Sequence, residues 1–287
     1  MTLERTVFRS PMASWSRNVA VFSVQVLIVA MVLHRFLSLG TPVALNLFLA
    51  ALAGGVVAIL LGLAAFVAIW RDGRQGAWRA AIGIGLGLAI IAWPVALIPL
   101  YKKSPAIHDI TTDTESPPAF AALAAERPAG ANAVAYAGAK TAKLQLAAYP
   151  DIKPLFVQRS ASEAWEIMGE TLRGLRWRVV ALKEPRGTGR PGIYEAVDRT
   201  LILGFSDDVA VRIDGNERSA RVDVRSASRY GQHDFGRNAQ RVRRLLKAFE
   251  ARLAATVTAT DQPRRRRHGG EPIARQGKGA QGKASGR

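Results

Sequence analysis

The chain has 287 residues, no cysteine, four histidines and a formal charge of +18, from 40 Lys and Arg against 22 Asp and Glu. Without cysteine there is no disulfide framework, thiol nucleophile, thiolate zinc site or iron–sulfur cluster, and His34, His108, His233 and His268 are too scattered for a histidine metal site, so no metal or other cofactor is expected. The charge is unevenly placed, net +7 over residues 1–103, +5 over 104–260 and +6 over 261–287, which excludes a protein that coats nucleic acid with a uniformly basic surface.

Three apolar stretches reach the length of about 20 residues that a membrane helix needs. The first runs from Val19 past His34 and Arg35 to Leu39, the second from Val43 to Trp70 without a single charge, and the third from Ala77 to Leu100. The first competes with a cleaved signal peptide, but no small-x-small cleavage site follows, so it reads as a retained helix. Pro94 and Pro99 should kink the end of the third. Gly54, Ala58 and Gly62 share one helix face, as do Gly83 and Gly87. Such faces allow close helix approach, either among the three spans or in a homo-oligomer. No charge falls in the middle of any span, which argues against an ion or proton path.

Orientation follows from Lys and Arg in the short flanks. With the N-terminus (residues 1–18) in the cytoplasm, the inner flanks hold Arg5, Arg9, Arg17, Arg71, Arg74 and Arg79, and the outer flanks Arg35, Lys102 and Lys103. Residues 19–103 then form a three-helix transmembrane region. Everything after Tyr101 falls on the outer side, the periplasm if the bilayer is a bacterial inner membrane.

Residues 104–128 are rich in Pro, Thr and acids, with Ile107, Ile110 and Phe120 as apolar anchors, and read as an ordered strap. A short helix is expected over Lys140–Ala147 and a strand over Ile152–Val157. Ser160 and Glu163 form a capping box for a helix through Ala164, Trp165, Met168 and Leu172 to Arg173, ended by Gly174. Strands follow at Trp177–Leu182, Ile193–Gly204, Val209–Asp214 and Arg218–Ser226, then a helix over Gly236–Ala255. The sum is an α+β domain over residues 104–260, with an antiparallel sheet and packed helices.

In the last hairpin Val209, Val211 and Ile213 alternate with Asp208, Ala210 and Arg212, and Ala220, Val222 and Val224 alternate with Arg221, Asp223 and Arg225. With a turn at Asp214-Gly215-Asn216-Glu217, Asp208 lies opposite Asp223, with Arg212 and Arg225 near enough to offset the two carboxylates. Three readings remain open: a structural charge lattice on a solvated sheet face, an anion or carbohydrate site on the arginines, or carboxylate acid–base chemistry.

The segments Gly204-Phe205-Ser206-Asp207-Asp208-Val209 and Asp223-Val224-Arg225-Ser226-Ala227-Ser228-Arg229-Tyr230-Gly231, extended by Gln232-His233-Asp234-Phe235-Gly236-Arg237-Asn238 and Arg241, resemble the bacterial domain of unknown function 1499 family. The resemblance spans roughly Pro105–Leu246 and implies a domain but no reaction, substrate or cofactor. Members of that family often begin on a cysteine-containing "PNCVS"-like string. Asp109-Ile110-Thr111-Thr112-Asp113 stands here instead, so no role for that cysteine transfers.

Asp234 suits an N-cap of the last helix, and Gly231 and Gly236 suit tight backbone. The candidate binding residues are Asp208, Arg212, Asp223, Arg225, Ser228, Arg229, Asp234 and Asn238, with no catalytic residue singled out. A serine nucleophile at Ser226 or Ser228 would need His233 as base and lacks an elbow glycine pattern. The last helix carries Arg237, Arg241, Arg243, Arg244, Lys247 and Arg252. The tail 261–287, with Arg264-Arg265-Arg266-Arg267, has the composition of a disordered segment. Anionic lipid headgroups suit these basic runs better than nucleic acid, because no aromatic residues interleave with them. The expected function is a binding module for an envelope partner or anionic ligand. The alternatives are a membrane-tethered hydrolase using Asp208 and Asp223, or a nucleic-acid binder if the domain is cytoplasmic.

Overall fold

The computed structural model describes residues 8–187 and 189–260. Arg5 and the basic tail 261–287, expected to be disordered, lie outside the described residues.

Three helices long and apolar enough to cross a membrane come first: α1 (Pro11–Phe36), α2 (Thr41–Asp72) and α3 (Ala77–Ala96). A short α4 (Ile98–Lys103) continues the third. The break between α3 and α4 falls where expected. Pro94 has no N–H to give the helix, Leu97 N turns back to Pro94 O at 3.1 Å, and Pro99 opens the next turn.

Small residues close the bundle. Ser16 Oγ donates to Ala58 O at 2.7 Å. Gly54 faces Ser23, Gly62 faces Ser16 and Ile84, Gly83 lies against the Ser16–Arg17 backbone, and Gly87 packs on Gly55 and Ile59. Ala58, Gly62, Gly83 and Gly87 are buried. Both small-residue faces are thus filled from within the chain. Of the two readings of these faces, packing among the three spans is the one this chain uses. Trp15, Trp70 and Trp78 are exposed at one end of the bundle and Trp93 and Tyr101 toward the other, the positions of aromatic residues at the two levels of a bilayer interface.

The following domain is a six-stranded antiparallel sheet with helices. Its elements are β1 (Asp109–Thr111), α5 (Ala122–Glu126), α6 (Ala139–Ala148), β2 (Leu155–Val157), α7 (Ala161–Gly174), β3 (Arg178–Lys183), β4 (Gly192–Arg199), β5 (Ser206–Gly215), β6 (Ala220–Ser228) and α8 (Arg237–Thr260). The strand order is β1-β6-β5-β4-β3, with β2 also on β6. Ser160 caps α7 as read from the sequence, its Oγ accepting from Glu163 N at 3.1 Å. Gly174 is still helical, and the chain reverses at Arg176 instead, in the left-handed region at φ 59°.

Alternation along β5 and β6 sorts the side chains onto two faces. Val209, Val211, Ile213, Val222 and Val224 meet Met168 and Leu172 of α7 and Val242, Leu245 and Phe249 of α8 in one core. The opposite face was expected to be solvated. It is covered by the strap and the residues that follow it to Val134, with Phe120, Leu123 and Val134 packed on Val197, Ala210 and Ala227. The domain therefore has three layers: helices, sheet, strap.

Two loops at one end of the sheet rest on the helix ends. His34, at the end of α1, meets Leu203 O at 2.6 Å through Nδ1 and Thr41 Oγ1 at 3.0 Å through Nε2. The carbonyl can only accept, so Nδ1 carries a proton. Tyr101 of α4 stacks on His233 with ring centroids 4.5 Å apart, while His233 Nε2 reaches Tyr101 O at 3.1 Å and Ser104 O at 3.0 Å.

Candidate functional site

The expected hairpin faces hold, but the register does not. Asp208 pairs with Ala227, and Asp223 pairs with Arg212. The turn lies at Asn216–Ser219, later than expected, because Gly215 stays in the strand opposite Ala220. A Cβ at Gly215 would collide with Ser219 O and Ala220. The glycine serves close strand approach, not the turn.

The eight candidate residues divide between the two faces. Asp208, Arg212, Asp223, Arg225 and Arg229 lie under the strap, and Ser228, Asp234 and Asn238 lie around the start of α8. Under the strap Asp208, Asp223 and Asp109 each meet arginine. Asp208, 0% exposed, accepts from Arg127 Nε at 2.8 Å and lies 2.7 Å from Arg229 Nη2. Asp223 is held by Arg212 Nη2 at 2.8 Å, Arg221 Nε at 3.0 Å and Thr112 Oγ1 at 3.2 Å. Arg225, 3% exposed, grips Asp109 of β1 with Nη2 at 2.7 Å and Nε at 3.0 Å. It also donates to Pro118 O and Val134 O and lies over the Phe120 ring, 4.4 Å from its centroid. This guanidinium ties β1, the strap and β6 together.

Strap residues complete the lattice. Arg212 and Arg221 share Asp113 at 2.8 Å each. Burial alone would raise the Asp113 carboxyl, but the Ser116 amide, Arg212 and Arg221 hold it below its usual range. The Arg178 guanidinium holds Glu126 low in the same way. Burial beside Asp109 pushes the Tyr136 phenol up to about 12. Glu195 of β4 caps α5, accepting from Ala122 N at 3.0 Å and Leu123 N at 2.9 Å.

On the helix face the motif binds α8 to the sheet. Asp234 accepts from Gly236 N at 2.8 Å and Asn238 N at 2.9 Å, the cap expected from sequence. Asn238 Oδ1 accepts from Ser226 Oγ at 2.7 Å, and Nδ2 donates to Ser228 Oγ and His108 O at 2.9 Å each. Arg241 bridges Asp198 at 2.7 Å and Asp207. Gly231 and Gly236 have positive φ, as expected, and so does Phe235. His233 is not aimed at a serine: Nε2 meets backbone carbonyls and Nδ1 accepts from Phe235 N at 3.0 Å.

Chemically, the arrangement is a set of closed ion pairs. Asp208 and Asp223 stand apart, each held by two arginines and covered by the strap. Arg225, named above among the candidate binding residues, has each of its three guanidinium nitrogens hydrogen-bonded within the chain. Among the described residues no three His, Asp or Glu side chains converge to hold a metal.

Sequence reasoning passed over Arg127, Glu195, Asp198 and Asp207. Glu195 left a signal: a carboxylate inside the otherwise apolar run Gly192–Val197 needs a buried partner. Arg127 left none, since nothing local to the strap says which carboxylate it meets.

No curated protein matches the chain. Residues 109–249, from β1 through Phe249 of α8, match the family model described as "Protein of unknown function (DUF1499)". The match takes in the strap, the sheet and both helices of the core, so the domain of residues 109–249 belongs to the DUF1499 family.

Proposed function

We propose that the protein is an integral protein of a bacterial inner membrane, its N-terminus cytoplasmic and its α+β domain periplasmic, acting as a non-enzymatic interaction module for an envelope partner. The flank charges support the orientation. The observation that carries the function is the end of the domain farthest from the helices. There, a shallow cleft of about 570 Å³ lies between the start of α7 (Ser160–Ser162), the β3–β4 loop at Pro185 and Gly187, and the β5–β6 turn from Gly215 to Arg218. Phe156 on β2 is 71% exposed and Leu182 on β3 is 58% exposed, at opposite edges of that same end. A cleft together with apolar side chains of this size left in solvent on the two edge strands suits a protein surface better than a small anion. The closed lattice leaves the hydrolase reading without a reactive carboxylate, and a periplasmic location removes nucleic acid as a partner.

The test is photo-cross-linking in intact cells with a photoreactive residue at Phe156, at Leu182 or, as a buried control, at Ala210. The expected result is an adduct of one discrete mass from the two exposed sites and none from Ala210. Absence of adduct at both exposed sites contradicts the module.

A further inference from the structure

We infer that the β4–β5 loop, residues 200–205, is a second membrane anchor: Leu201 and Ile202 enter the interface of the adjoining leaflet, and Arg35 with Arg199 take the phosphate of an anionic lipid headgroup. The inference rests on the three-span reading of α1–α3.

The loop is a closed, rigid hairpin end. Thr200 N donates to Phe205 O at 2.8 Å, Gly204 N to Thr200 O at 3.0 Å, and Phe205 N to Thr200 Oγ1 at 2.9 Å. Its depth is fixed by the Leu203–His34 hydrogen bond, which places it level with the end of α1 and, through Thr41, the start of α2. At that level the tip turns its side chains outward: Leu201 is 84% exposed and Ile202 53%. Phe36 and Leu37 at the end of α1 are exposed as well. In water this apolar rim has no cover, whereas at a bilayer surface it has lipid.

The length of α2 agrees. Its charge-free run Val43–Trp70 rises ~42 Å at 1.5 Å per residue, against a hydrocarbon core of roughly 30 Å. With Trp70 at one interface, the apolar band reaches the domain end even when the helix is tilted.

The charges point to the headgroup. Arg35 and Arg199 both close on Gly204, where a Cβ would lie 2.9 Å from Arg35 Cδ and 3.5 Å from Arg199 Nη2. Arg199 donates only to carbonyls, Gly204 O at 3.3 Å and His34 O at 3.4 Å. Among the described residues no carboxylate lies within 4.0 Å of either guanidinium, in contrast to the arginines under the strap. Burial, and then the charges of Arg35 and Arg178, lower the Arg199 pKa. Two neighbouring cations without a counter-ion, beside an apolar tip at bilayer level, match the phosphate and upper acyl chains of one lipid.

The absence of native cysteine makes the test clean. The full chain carrying Leu201→Cys, Val57→Cys (exposed, mid-α2) or Leu182→Cys is labelled with an environment-sensitive fluorophore in vesicles of phosphatidylcholine and phosphatidylglycerol. Quenching by iodide and by lipids spin-labelled at the headgroup or along the acyl chain reports depth. The expected result is that the Leu201 probe loses iodide quenching, is quenched by shallow acyl labels and prefers headgroup-labelled phosphatidylglycerol. Arg35→Gln with Arg199→Gln abolishes that preference while the depth stays. A Leu201 probe as open to iodide as the Leu182 probe, with Val57 deep, overturns the anchor alone. An iodide-accessible Val57 overturns the three-span reading and the anchor with it. Equal quenching by both headgroups in the parent chain overturns the phosphate site.

Discussion

The two faces of the sheet are held by different physics. On the helix face, Val209, Val211, Ile213, Val222 and Val224 meet two amphipathic helices, and burial of apolar area supplies the adhesion. On the strap face the covering segment has only a three-residue strand and a five-residue helix, with Phe120, Leu123 and Val134 as its apolar contribution. It cannot satisfy its own backbone or bury much area, so it is pinned by directional contacts from Arg225, Arg127, Arg229 and Glu195. An irregular layer needs side-chain hydrogen bonds at each point where a helix would use packing alone. A motif that looks like a charged binding face is, in this domain, the fastening of that layer.

The comparison breaks most visibly on the helix face. Phe249→Ala, at a fully buried position, should cost about 3–5 kcal/mol by losing contacts and leaving a cavity. Thermal unfolding of the full chain in detergent, followed by tryptophan fluorescence, should show the domain transition falling by many degrees. Glu195→Gln on the strap face weakens two amide caps and should cost about 1 kcal/mol, seen as faster hydrogen exchange at Ala122 and Leu123 with the sheet amides unchanged.

Acid should loosen the β1 end through His108. Burial lowers its pKa from 6.5, with Asp109 and Asp234 opposing. The folded state therefore holds the neutral ring below the pH at which the unfolded chain takes up a proton. This contribution is full above pH 6.5 and is lost as pH falls through the folded pKa. The midpoint should drop on going from pH 7.5 to 5.5, and His108→Gln should flatten that part of the profile. The smallest effect belongs to Arg243→Ala. Its pair with Asp151 is short, at 2.6 Å, but exposed, and its loss should change stability by less than ~0.5 kcal/mol.

Much of the helix face was legible. The 3–4 spacing in Ala164, Trp165, Met168 and Leu172 and the Ser160 cap specify α7, and the alternation in β5 and β6 assigns each side chain to its face. The register was not, because Gly215 reads as a turn residue until its close approach to Ser219 and Ala220 is known. The strap was read as ordered from Ile107, Ile110 and Phe120, yet its pairing of Asp109 with Ala227 and Arg225 is a contact across more than 110 residues, for which no local pattern exists. The candidate residues, read either as a binding face or as a structural charge cluster, are divided by the sheet between its two faces, and Arg225 meets Asp109, Pro118 and Val134. The docking of loop 200–205 was equally invisible, since neither His34 nor Leu203 carries a signal for the other.

The claim that the lattice fastens the strap is tested most directly by a double-mutant cycle on Asp109 and Arg225, read as the unfolding free energy of the full chain. Each single change to Ala leaves the other charge buried and should cost about 3–5 kcal/mol. The double variant should cost clearly less than their sum, with a coupling of about 2 kcal/mol. Single variants that melt like the parent chain, or costs that simply add, would contradict a structural lattice and return Arg225 to the role of a ligand-binding residue.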